Sequence, residues 1–311
     1  MTDSFAAKIR ARRSGVCVYG LAPPKRATAP DRRAEITARH AARLGALRPD
    51  AVIVYDIQDE PGRADAPRPF PFLPTVDPLA FARDDLADVA APKIVYRSVG
   101  GDDEASLADW LARLAGNAND AAVFVGQASA ELAVRLPLRD AYALARARAP
   151  EVLLGGIAIA ERHARREDEH LRILGKAARG CSFFVTQAVY DVTASKSLLS
   201  DLHLACAERA EPVPPVLLTF SPCASVKTLE LMKWLGISFP RWLDNELRHA
   251  DDPLLASERL CLSIFDELAD YAAAKGIPLG VNVESVSIRK AEIEASVRLF
   301  EALRDRMETT T

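Results

Sequence analysis

The chain has 311 residues, enough for one large α/β domain or two smaller ones, and 49% hydrophobic with 27% charged residues is an ordinary globular composition. Forty basic against 43 acidic side chains leave a net charge of -3, which argues against a nucleic-acid surface, and Arg10 to Arg13 read as a solvated helix face. The five cysteines form no CxxC pair and no apolar run approaches the ~18 residues of a membrane span, so a soluble, cytoplasmic chain in a reducing compartment is expected, with no membrane partner.

Along the chain, apolar strand-like runs alternate with helical segments. A run over 16–19 stops at Gly20 and is followed by a helix over 31–44 that starts just after Pro30. The second run, 51–55, leaves through a long proline-rich stretch to Pro78 that suits a binding loop or a lid, before a helical turn begins at Asp77-Pro78. Strands over 93–98 and 121–125 are each followed by helix, over 102–114 and 138–148. The fifth run, 152–159, contains Gly155-Gly156, a pair that marks close packing or an approaching ligand, and helix follows over 167–178.

The sixth run begins at Cys181 and breaks into Thr186-Gln187 where its apolar stripe should continue. Helix over 195–208, a strand over 215–220, helices over 225–235, 240–247 and 254–275, a strand over 279–283 and a helix over 290–304 complete the chain. Eight such units predict a closed (β/α)8 TIM barrel spanning 1–311 as one domain, with a short N-terminal helical extension. A doubly wound open sheet is the alternative, but neither GxGxxG nor GxxxxGK[ST] is present to support it.

In a barrel the chemistry sits at the carboxyl ends of the strands. Those positions hold Tyr19-Gly20, Tyr55-Asp56, Arg97-Ser98, Gly126-Gln127, Ala160-Glu161, Thr186-Gln187, Thr219 to Ser221 and Glu284-Ser285. Gln187 cannot titrate, and it suits the amide edges of a flavin or pterin or, equally, a core hydrogen-bond network. Lys176 could meet a cofactor phosphate or lie on a solvated helix face. Glu161, His163, Arg165 and Arg166 form a polar cluster after the fifth strand, suited to a phosphate or ribose or to a surface loop. Glu284 is a candidate charge partner or general acid, or else a salt-bridge partner at a helix start. Trp242 could wall a planar ligand or pack its helix on the barrel. No second His or Cys stands at metal spacing from His163, so no metal is expected.

Several of these segments together resemble the methylenetetrahydrofolate reductase family. Gly156-Ile157-Ala158 followed by Glu161 and His163, then Lys176 ten residues before Thr186-Gln187, then Asp191, is similar to that family's central stretch. Ala22-Pro23-Pro24, the Pro240 and Trp242 pair, and Arg289 with Ala291-Glu292 agree in the same order, so that the likeness runs from about residue 16 to 304. It implies a flavin-bearing barrel, with FAD reduced by NADH or NADPH passing hydride to a folate-bound one-carbon unit. It places Gln187, with Phe220 and Arg289, on the substrate. Tyr55, Gln127, Glu161, His163, Lys176 and Thr186 would hold the cofactor.

Gly20 stands where the family has a glutamate beside the pterin, and Val125-Gly126-Gln127 stands for its Arg-Gly-Asp. The family's strand-three histidine falls near Lys93, and Ile288 replaces an asparagine. Tyr19, Tyr55 or Glu284 would then have to supply the proton. Three readings follow: a divergent folate-type reductase, a flavin or folate enzyme with another substrate, or a barrel without catalysis that binds a ligand or partner protein. Oligomerisation stays open.

Overall fold

Residues two apart on a strand share a face, and here that period sorts the strand residues into two cores. The computed structural model describes residues 4–60, 66–116, 120–126 and 133–310. In it, β1 (Val16–Leu21), β2 (Ala51–Val54), β3 (Lys93–Ser98), β4 (Ala121–Val125), β5 (Leu153–Ala158), β6 (Cys181–Ala188), β7 (Val216–Phe220) and β8 (Leu279–Glu284) form a closed parallel barrel in sequence order. The expected TIM barrel is therefore present, and the open sheet is not. Val16, Val18, Ile53, Val123 and Val185 fill the interior, while Cys17, Val52, Val54, Phe124 and Phe184 face the surrounding helices.

The helical layer comprises α2 (Pro30–Leu47), α3 (Pro78–Ala80, continued by a π-helical turn at Phe81–Asp85), α4 (Glu104–Ala115), α5 (Leu138–Arg148), α6 (Ala160–Arg166), α7 (Glu169–Ala177), α8 (Val192–Glu208), α9 (Val226–Trp234), α10 (Arg241–His249), α11 (Pro253–Ala273) and α12 (Lys290–Thr310). Polar side chains close many helix starts: Asp103, Asp191, Ser225 and Asp252 each accept a backbone N–H of the first turn. The sequence reading missed α6. Its sequence, AERHARR, lacks an apolar stripe, and the face it buries carries Glu161 and His163 instead.

The N-terminal helix, α1 (Phe5–Arg10), stoppers the barrel. Phe5 and Ile9 are 2% and 1% exposed and belong to the interior cluster, with the Phe5 ring edge-on to Phe183 at 5.5 Å. Lys8 fastens the helix through Asp50 at 2.7 Å, and the other Asp50 oxygen accepts the Cys17 N–H at 2.8 Å. Ile9→Val is expected to lower stability by about 1 kcal/mol, as deletion of a buried methyl does. A denaturation midpoint unchanged from the parent would show that α1 is not packed as described.

Gly155 and Gly156 answer the close-packing expectation. A Cβ at 155 would lie 2.4 Å from Phe183 Cζ, and one at 156 would lie 2.7 Å from Phe184 Cε1. These phenylalanines are the cross-strand register partners of the two glycines. One ring enters each core, so the glycine pair is packing space for β6. All five cysteines are unpaired and buried, and no helix among the described residues is long and apolar enough to cross a membrane.

Candidate functional site

The Thr186-Gln187 break is a β-bulge. Val185 pairs with Leu217 and Ala188 with Thr219, so β6 spends one residue more than β7 over this interval. The Thr186 hydroxyl replaces the missing ladder acceptor and takes the Thr219 N–H at 2.9 Å, while the Thr219 hydroxyl donates to the Thr186 carbonyl at 2.7 Å. Gln187, half-buried, donates its amide N–H to the Leu235 carbonyl at 3.0 Å, just past the end of α9. One of its two amide N–H groups is therefore committed to the protein, which leaves the other N–H and the carbonyl oxygen to meet a ligand.

Across the mouth, the end of β2 together with β3, β7 and β8 builds a compact polar group. Asn282, fully buried within β8, donates to Tyr55 Oη at 2.8 Å and to Thr219 Oγ1 at 3.1 Å. The Tyr55 ring meets Tyr96 edge-on at 4.9 Å. Glu284 ends β8 beside both tyrosines. Burial raises its pKa above the ordinary glutamate value, and interactions with Tyr55 and Asn282 pull it partway back. Burial, and next the Glu284 charge, push both Tyr55 and Tyr96 far above the usual phenol range, so each stays a neutral hydroxyl. Gly20 and Glu284 are register partners on adjacent strands. A Cβ at Gly20 would lie 2.8 Å from Tyr55 Cε2, 2.9 Å from Tyr55 Oη and 3.1 Å from Asn282 Oδ1. Tyr55 thus fills the space that a side chain at position 20 would need, and the carboxyl lies one strand away.

The structure gathers Tyr55, Gln187 and Glu284 at this mouth and disperses the other candidates. Tyr19 faces outward: its hydroxyl is 2.7 Å from Ser296 Oγ and its ring packs on Phe300 of α12. Phe220 also turns outward, fully buried against Phe265 of α11, which corrects its placement on a substrate. Both corrections have one cause. Strand alternation puts Val18 and Gly20 inside, which sends Tyr19 to the helix side. Lys176 lies between α7 and β5, donating to the Ile157 carbonyl at 2.5 Å and 4.0 Å from Glu169, with its pKa lowered chiefly by burial.

Glu161 accepts the Ser238 N–H at 3.3 Å, and its pKa is raised by burial. His163 pairs with Asp201 in the helical layer. Arg289 is exposed just before α12, and Gln127 lies outside the described residues. Trp242 is 62% exposed, so it does not pack α10 on the barrel. Asn282 went unnoticed in the sequence, although an amide inside an otherwise apolar strand was a visible signal.

The described part of the long loop after β2 is a strap along the mouth. Trp234 Nε1 donates to the Ala66 carbonyl at 3.0 Å, Lys25 Nζ donates to the Leu73 carbonyl at 3.2 Å, and Lys25 and Thr75 form an isolated antiparallel bridge. The Arg68 guanidinium lies over Trp234 at 5.0 Å and Phe72 at 5.5 Å, and Lys227 lies over Phe70 at 4.4 Å. The loop after β1 and helix α9, both at the carboxyl ends of strands, thereby hold the strap in place.

No protein-family model matches the chain, and no curated protein matches it. Among solved structures, it is similar to an uncharacterised protein from Clostridium thermocellum that binds two copies of 5-methyl-5,6,7,8-tetrahydrofolic acid. The two are 42% identical, with a TM-score of 0.85, over 96% of this chain and 98% of the other.

Proposed function

This chain belongs to the same family as the Clostridium thermocellum barrel, and on that footing we propose that it binds a reduced folate, 5-methyltetrahydrofolate or a close one-carbon relative, at the carboxyl-terminal mouth. The observation that carries the reading is the folate bound by a protein 42% identical over nearly the whole chain. The site's chemistry agrees with it. A reduced pterin presents an edge of adjacent N–H donors, and the Glu284 carboxylate can accept two of them at once. The Gln187 carbonyl oxygen offers a further acceptor, and the Tyr55 and Tyr96 rings give the heterocycle an aromatic wall.

Hydride transfer from a flavin, the finer reading that the family resemblance implies, draws no support from the described residues. Of the groups assigned to the flavin, Tyr55 stands at the mouth, whereas three make other contacts: Lys176 with Ile157 and Glu169, His163 with Asp201, and Glu161 with Ser238. In this arrangement those three side chains are engaged within the protein and not turned to a flavin. Calorimetric titration with 5-methyltetrahydrofolate should show saturable binding and give the number of folate copies per chain. Titration with FAD, followed by its visible absorbance, should show none. Absence of folate binding at millimolar ligand would refute the proposal, whereas tight FAD binding with folate-dependent reoxidation would favour the reductase.

A further inference from the structure

Helices α6, α7 and α8 carry a cluster that folate binding leaves unused. Glu167, in the left-handed region at φ 54°, turns the chain between α6 and α7. The turn sets His163 and His170 edge to face, with ring centroids 5.4 Å apart. Asp201 of α8 brings Oδ2 to 3.1 Å from His163 Nε2, and one donor atom from each of the three residues lies within 4.8 Å of the others. Bonds of about 2.0–2.1 Å to zinc put tetrahedral neighbours roughly 3.4 Å apart, so His163 and Asp201 already stand at that separation and His170 needs to close by about 1.4 Å at most.

A second observation is independent of this spacing. The His163 side chain is 2% exposed, and the Nδ1 atoms of both His163 and His170 are buried with no hydrogen-bond partner. Buried imidazole nitrogens are normally paired, and a metal ion is one partner that would meet the need at His170 Nδ1, while His163 would ligate through the Nε2 that faces Asp201. An ion pair between His163 and Asp201 leaves His170 Nδ1 without a partner and gives His170 no role.

The geometry points to a binding site for a divalent ion of the zinc class, ligated by His163, His170 and Asp201 and clasping the three helices together. Two imidazoles and a carboxylate suit zinc and its first-row neighbours rather than calcium or magnesium, which take oxygen ligands. Three protein ligands leave one position open. It borders a groove of about 600 Å³ between α6 and α8, lined in part by His163, Lys196, Ser197, Ser200 and Asp201.

Cobalt(II) is a coloured stand-in for zinc. Full-length protein freed of metal by chelation and titrated with cobalt(II) should develop visible bands of four-coordinate geometry at one equivalent, and zinc should bleach them. His170→Gln and Asp201→Asn alter side chains that are not fully buried, so the fold should tolerate them. Each should weaken cobalt binding by at least about 100-fold, the upper end of what loss of an outer-shell partner costs. Zinc should raise the melting temperature of the parent protein and leave that of both variants unchanged. No bands at 1 mM cobalt(II), or parental affinity in either folded variant, would overturn the assignment.

Discussion

Replacing Glu284 with glutamine is expected to weaken 5-methyltetrahydrofolate binding about 30-fold at neutral pH, the roughly 2 kcal/mol by which a hydrogen bond to a charged group typically contributes. Glutamine keeps the shape and one acceptor oxygen but cannot accept two pterin N–H groups with a full charge. The pH dependence separates this role from a packing role. Burial raises the Glu284 pKa above 4.5, so the folded protein keeps this proton at pH values where the unfolded chain has released it. By linkage, the contribution of this group to stability is fully present below about pH 4.5 and is lost as pH rises through the folded pKa. Folate affinity should run the other way, because the ionised carboxylate is the form that accepts the pterin edge. It should therefore rise as pH climbs through the same interval and level off above it. In Glu284→Gln both dependences should flatten. Parental affinity at neutral pH in a variant of unchanged melting temperature would place the pterin elsewhere.

The barrel was legible because burial on both faces makes every strand a near-continuous apolar run, and eight such runs separated by helices leave few closures. The bounds of β3, β4 and α5 coincide with the predicted spans. Helix α6 was not legible, because its buried face is made of Glu161 and His163, which meet polar partners, Ser238 and Asp201 respectively, in place of an apolar stripe. Thr186-Gln187 stood out in the sequence for a real structural reason, a bulge, yet only the register shows that Thr186 serves the ladder while Gln187 is tied to Leu235.

The candidates at the ends of β1 and β7 failed on phase. Proximity to a strand's carboxyl end does not make a residue part of the mouth unless it also falls on the interior face. Applied from Val18, strand alternation would have set Tyr19 aside and drawn attention to Gly20. The histidine cluster was hidden for another reason: His163, His170 and Asp201 are distant or irregularly spaced in sequence and converge only because Glu167 breaks the helix.

Gly20→Glu, which places an acid on the interior face at position 20, is expected to destabilise this chain by about 3 kcal/mol or more, combining overpacking with an added buried charge. The first atom of the new side chain would already meet Tyr55 Cε2 at 2.8 Å and Tyr55 Oη at 2.9 Å. The ring has no cheap escape. Its hydroxyl accepts from Asn282, its edge packs on Tyr96, and moving it would leave a fully buried amide without its 2.8 Å partner. The new carboxylate would also face Glu284, its register neighbour, and two like charges there would raise the cost further. Tyr55→Ala in the same chain should return much of the loss, because it vacates the space that the introduced glutamate needs. A coupling of at least about 1 kcal/mol between the two changes, read from denaturant midpoints in a double-mutant cycle, would identify Tyr55 as the group that has taken the place of a position-20 side chain. Additive costs would mean that the barrel resists an acid at position 20 for some other reason. If the coupling is found, Tyr55 and a side chain at position 20 compete for one space, and Glu284 on the adjacent strand is the carboxyl that the mouth presents.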